Sequence, residues 1–139
     1  MSYRDLVARV RAQITEVETG DVEQRLGEIP ALVDVREPDE FAQGAIPGAT
    51  LLPRGILESN IARIVPDPDT EIVLYCAVGN RSALSAKSLQ DMGYTRVSSM
   101  AGGFTRWKSE GRRWEVSQGL DADQRARYSR HLLLSLIHI

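Results

Sequence analysis

Leu74-Tyr75-Cys76-Ala77-Val78-Gly79-Asn80-Arg81-Ser82 joins two different hydrophobic patterns. Before it, Ile72, Val73, Leu74 and Tyr75 form a continuous apolar, β-prone run, as in a strand buried on both faces. After it, Ala83, Ala86, Leu89 and Met92 recur every three residues, with Gly93 placed to close a helix. The passage reads as strand, short loop and helix, with the only cysteine of the chain at the strand's carboxyl end. N–H groups of such a loop and of the first helical turn point into one space and carry the positive end of the helix dipole. They favour a thiolate over a thiol, and equally a persulfide anion on the same sulfur. Taken alone, Cys76 also fits a buried structural thiol. Gly79, which permits a tight loop, and Arg81, a fixed cation at the rim, are poor choices for that purpose.

Bulk properties narrow the field. The 139 residues fit one domain with a modest tail, and 42% hydrophobic with 26% charged residues is ordinary for a globular chain. A net charge of −2 gives no electrostatic case for nucleic acid or an anionic membrane. One cysteine excludes an internal disulfide and a cysteine metal cluster. His131 and His138 both lie in the tail, so neither a metal nor another cofactor is expected. Residues 1–11 are charged and read as no secretory leader, and no run reaches membrane-spanning length. A reducing cytoplasm, which suits a reactive thiol, is the expected compartment.

Outward from the cysteine, strands and helices alternate. Residues 3–12 have helical spacing and predict an amphipathic lead-in helix, and Ile14 and Val17 an edge strand. Thr19-Gly20-Asp21 offers an N-cap, with Gln24 three residues beyond Asp21, for a helix reaching about Glu28. Residues 31–35 read as a central strand. A short helix follows near 36–41, then a loop at 45–49, a short strand at 50–52 and a helix over 56–64. A last strand is expected over 94–100, and a helix carrying Phe104 and Trp107 after Gly102-Gly103. The fold class is α/β, with a mostly parallel five-stranded sheet and helices on both faces. Ligands of such sheets bind beyond the strands' carboxyl ends, where Cys76 and Arg36 both stand.

Four motifs occur in order. They are Asp34-Val35-Arg36-Glu37, then Gly44-Ala45-Ile46-Pro47-Gly48-Ala49, then the segment from Cys76 to Ser82, then Gly102-Gly103-Phe104 with Trp107. Together they resemble the rhodanese family of sulfurtransferases. The family pattern usually has histidine where Ala45 stands, a change expected to alter packing rather than catalysis. The resulting division is a lead-in over 1–13, a rhodanese-like domain over 14–116 and a tail over 117–139. Within the tail, residues 124–134 resemble the opening of the adenylyltransferases of molybdenum-cofactor and thiamine biosynthesis. The tail thus reads as a linker and the truncated start of such a segment.

The resemblance implies transfer of sulfane sulfur from a donor such as thiosulfate, through a Cys76 persulfide, to a thiophilic acceptor. The implied partners are a small sulfur-containing anion, a thiol or sulfur-carrier protein as acceptor, and an adenylyltransferase domain. Cys76 is the expected nucleophile, and the backbone of Ala77, Val78, Gly79, Asn80, Arg81 and Ser82 the anion cradle. Arg81 would orient the loop or bind the donor, unless it is spent in a surface ion pair. Asp34 and Arg36 read as supports behind the site, and Phe104 and Trp107 as core. Two alternatives stand beside this one. A cysteine phosphatase would use five residues between cysteine and arginine, and only four intervene here. A non-catalytic docking module would leave Cys76 incidental.

Overall fold

The alternation of apolar residues along the two central strands sets up both layers of the molecule. Val33, Val35, Ile72, Leu74 and Cys76 belong to one buried cluster with Leu57 and Ile61, and with Ala86 and Leu89. Their strand neighbours Leu32, Val73 and Tyr75 belong to a second cluster with Val22, Phe104 and Trp107. Successive side chains of a strand point to opposite faces, so these two sets are the two sides of one sheet.

The computed structural model describes residues 1–116. In chain order the elements are α1 (Tyr3–Arg11), β1 (Thr15–Val17), α2 (Thr19–Gln24), β2 (Ala31–Asp34), α3 (Pro38–Gln43), β3 (Thr50–Leu51), α4 (Arg54–Ile64), β4 (Ile72–Tyr75), α5 (Asn80–Asp91), β5 (Val97–Met100) and α6 (Gly103–Ser109). The five strands are parallel and ordered β1-β5-β4-β2-β3. Helices α4 and α5 pack on one face and α2 and α6 on the other, as the α/β reading requires. From β2 the next strand, β3, lies to one side, whereas from β4 the next strand, β5, lies to the other. The carboxyl ends of β2 and β4, paired as far as Asp34 opposite Tyr75, therefore flank the point where the winding reverses. That is where sheets of this class hold ligands.

Three local expectations need correction. Helix α2 is capped by Glu18, not by Thr19-Gly20-Asp21, and ends at Gln24. Thr19 is buried and its hydroxyl donates to Glu110 beyond α6, so a tertiary bond takes the group that the local pattern assigned to a cap. Met92 is exposed, because α5 stops at Asp91 and Gly93 turns the chain away in a left-handed conformation. The last strand begins at Val97 rather than Tyr94, since Thr95 N–H is committed to the Pro68 carbonyl and Tyr94 Oη to that of Val65. The lead-in helix packs on α5 through buried Val7 and Val10 and is part of the folded body. No helix among the described residues is long and apolar enough to cross a membrane. The tail reading at 117–139 lies outside the described residues.

Candidate active site

Cys76 leaves β4 fully buried, and the loop after it folds back over the sulfur. Gly79 N–H donates to Sγ at 3.1 Å and Ser82 N–H at 3.3 Å, and the thiol in turn donates to Ser82 Oγ at 3.5 Å. Two of the six expected backbone donors therefore touch the sulfur among the described residues, one from the loop and one from the first turn of α5. The turn that brings them together depends on Gly79, which caps α5 at φ +99°, a region costly for other residues. Ser82 is held in turn by Ser99 of β5, hydroxyl to hydroxyl at 2.8 Å, both residues fully buried. Asn80 is held from outside the loop, accepting a hydrogen bond at Oδ1 from Arg11 Nη2 of α1 at 3.1 Å.

The loop is also pinned from below. Phe104 N–H donates to the Cys76 carbonyl at 2.8 Å and Thr105 N–H to that of Ala77 at 2.9 Å. Gly103 lets α6 approach this closely. A Cβ there would lie 2.5 Å from the Cys76 carbonyl oxygen and 2.6 Å from two backbone atoms of Ala77.

Arg81 makes its side-chain hydrogen bonds to α3. Its Nη1 and Nη2 donate to the two oxygens of Glu40 on α3, at 2.9 and 3.1 Å. Hydrogen bonding to Arg81 holds the Glu40 carboxyl below its ordinary value, and the same bond raises the Arg81 guanidinium. Arg81 is thus in an ion pair that ties the start of α5 to α3. Glu40 escaped the sequence reading. Its own position at the third residue of α3, bonded to Glu37 N–H at 2.9 Å, was the available signal.

Asp34 and Arg36, read from the sequence as supports behind the site, pair with each other. Arg36 Nη2 donates to Asp34 Oδ2 at 2.7 Å and to the Gly44 carbonyl at 2.6 Å, and Arg36 N–H to Asp34 Oδ1 at 2.9 Å. Both residues are buried. Burial opposes the Arg36 charge, but the hydrogen bonds and charge of Asp34 outweigh it, and the guanidinium sits above its ordinary value. The guanidinium also lies over the Phe104 ring at 4.4 Å. Phe104 and Trp107 are core residues, although Phe104 also lines a cavity of about 360 Å³ that opens beside Ala77 between α3 and α6. Ala45, in place of the usual histidine, is buried and forms an antiparallel bridge with Glu115.

The family model described as Rhodanese-like domain matches residues 18–110. A sulfurtransferase of Allochromatium vinosum is 36% identical over 100 residues, covering 70% of this chain and 92% of that protein. An adenylyltransferase and sulfurtransferase of Meyerozyma guilliermondii is 35% identical over 85 residues, 57% of this chain but 20% of that one. Among solved structures, a Rhodopseudomonas palustris protein described as of unknown function and a possible tyrosine phosphatase superposes with a TM-score of 0.75. It is 32% identical, over 83% of this chain and 95% of that one.

Proposed function

Since the chain belongs to the rhodanese-like domain family, we propose that it is a sulfurtransferase that carries sulfane sulfur on Cys76. The convergence of Gly79 N–H and Ser82 N–H on one sulfur carries this reading. Preorganised donors of this kind stabilise negative charge on sulfur before and after transfer. With thiosulfate as donor, the Cys76 thiolate attacks the outer sulfur. The new S–S bond forms as the old one breaks, and sulfite departs with the bonding pair. The persulfide anion left behind keeps one negative charge within reach of the same donors. Cyanide or a thiophilic acceptor then takes the terminal sulfur and regenerates the thiolate, which predicts ping-pong kinetics. Delivery to a sulfur-carrier protein through an adjoining adenylyltransferase is part of the proposal, and its supports are the tail motif at 124–134 and the partial match to a two-activity relative.

Cysteine phosphatase chemistry is the rival to test. It needs a wider cradle for a tetrahedral phosphate, and here the loop donors meet at the sulfur itself while Arg81 is bound to Glu40. The wild-type protein is expected to release thiocyanate from thiosulfate and cyanide, and Cys76→Ser to lose this activity by at least about a thousandfold. Full activity in Cys76→Ser, or aryl-phosphate hydrolysis without thiocyanate release, would overturn the proposal.

A further inference from the structure

The cavity beside Ala77 has an uneven charge balance. Five side chains with polar groups line it: Arg36, Glu40, Gln43, Thr105 and Lys108. The Arg36 charge is matched by Asp34 at 2.7 Å, and the Glu40 charge by Arg81 at 2.9 Å. Gln43 and Thr105 are neutral. Lys108 alone carries a charge with no carboxylate within ion-pair distance among the described residues, so the lining is left with one net positive charge.

The ammonium of Lys108 is nevertheless placed. It lies 4.4 Å from the centre of the Trp114 ring and 5.8 Å from that of Phe104. Trp114 meets Phe104 edge to face at 6.1 Å, and Phe104 carries Arg36 on its ring at 4.4 Å. Aromatic faces hold a cation without neutralising it, which leaves its charge available to a ligand.

An anionic donor needs such a charge. Thiosulfate brings two negative charges towards a thiolate, and sulfite leaves a persulfide anion behind. The loop amides serve the cysteine sulfur, and Arg81 is occupied. We propose that Lys108 binds the oxyanion end of the sulfur donor in this cavity and is a specificity-determining residue for small dianionic donors. The inference rests on the sulfur-transfer reading above.

Two measurements test it separately from that reading. In Cys76→Ser, which cannot turn thiosulfate over, binding is followed by nuclear magnetic resonance titration with thiosulfate. Adding Lys108→Gln is expected to weaken binding about fivefold, and Lys108→Arg to keep it within about twofold, as for one partly screened charge contact. In the otherwise wild-type protein, Lys108→Gln is expected to raise KM for thiosulfate about fivefold and to leave kcat within about twofold. Unchanged affinity and KM in Lys108→Gln, in a wild-type protein that does form a persulfide, would overturn the role of Lys108 and spare the sulfur-transfer reading. Lysine-dependent binding in a protein that never gains sulfur would do the reverse.

Discussion

Asp34→Ala is expected to cost about 3–5 kcal/mol of folding free energy, because it strands a buried guanidinium. Asp34 is fully buried and receives three hydrogen-bonding groups of Arg36, namely Nε, Nη2 and the backbone N–H. Without the carboxylate, Arg36 keeps only the Gly44 carbonyl as a hydrogen-bond acceptor among the described residues, plus the faces of Phe104 and Tyr75. Neither supplies a countercharge. Removing both charges avoids the problem: Asp34→Leu with Arg36→Met should recover most of the loss, since an apolar pair of similar volume often replaces a buried ion pair without penalty. Urea unfolding of the two variants reads both quantities. Equal instability of the single and double variants would mean that the cost lies in packing around β2, not in the unpaired charge.

Gly103→Ala is expected to remove most of the turnover and to destabilise the fold by roughly 2–4 kcal/mol, combining backbone strain with a clash. Gly103 has φ +61°, and its missing Cβ would sit 2.5 Å from the carbonyl oxygen of Cys76. The atoms in the way are backbone, so α6 and the loop must separate. Separation breaks the two hydrogen bonds that pin Cys76 and Ala77, and the donors around the sulfur lose their register. Gly27→Ala isolates the strain. Gly27 has φ +86° with nothing among the described residues within 4 Å of the added atom, so it should show only the conformational cost, about 1–2 kcal/mol, with turnover intact. If Gly103→Ala proved no worse than Gly27→Ala in stability and rate, the pinning of the loop by α6 would have no functional weight.

What the sequence made legible follows from the range of each interaction. Strands β2 and β4 stood out because a strand buried on both faces carries a continuous apolar run, as 31–33 and 72–75 do. The cysteine loop stood out because glycine, arginine and a helix start are local features. The partners of that loop are not local. Glu40 lies 41 residues from Arg81, Ser99 lies 17 from Ser82, and Arg11 lies 69 from Asn80. Periodicity carries no information about such pairings. Two adjacent serines, Ser98 and Ser99, in a fully buried four-residue strand were a signal that polar partners were needed, without saying which. The misplaced cap of α2 has the same origin, since Thr19 satisfies Glu110 from 91 residues away instead of its own helix.

Intact-mass analysis of the protein after incubation with thiosulfate puts the proposed chemistry to the most direct trial. A gain equal to the mass of one sulfur atom is expected, confined to Cys76 because the chain has no other cysteine, and reversed by cyanide. An unchanged mass with every sulfane donor offered, from a correctly folded protein, would contradict the assignment of Cys76 as the sulfur carrier.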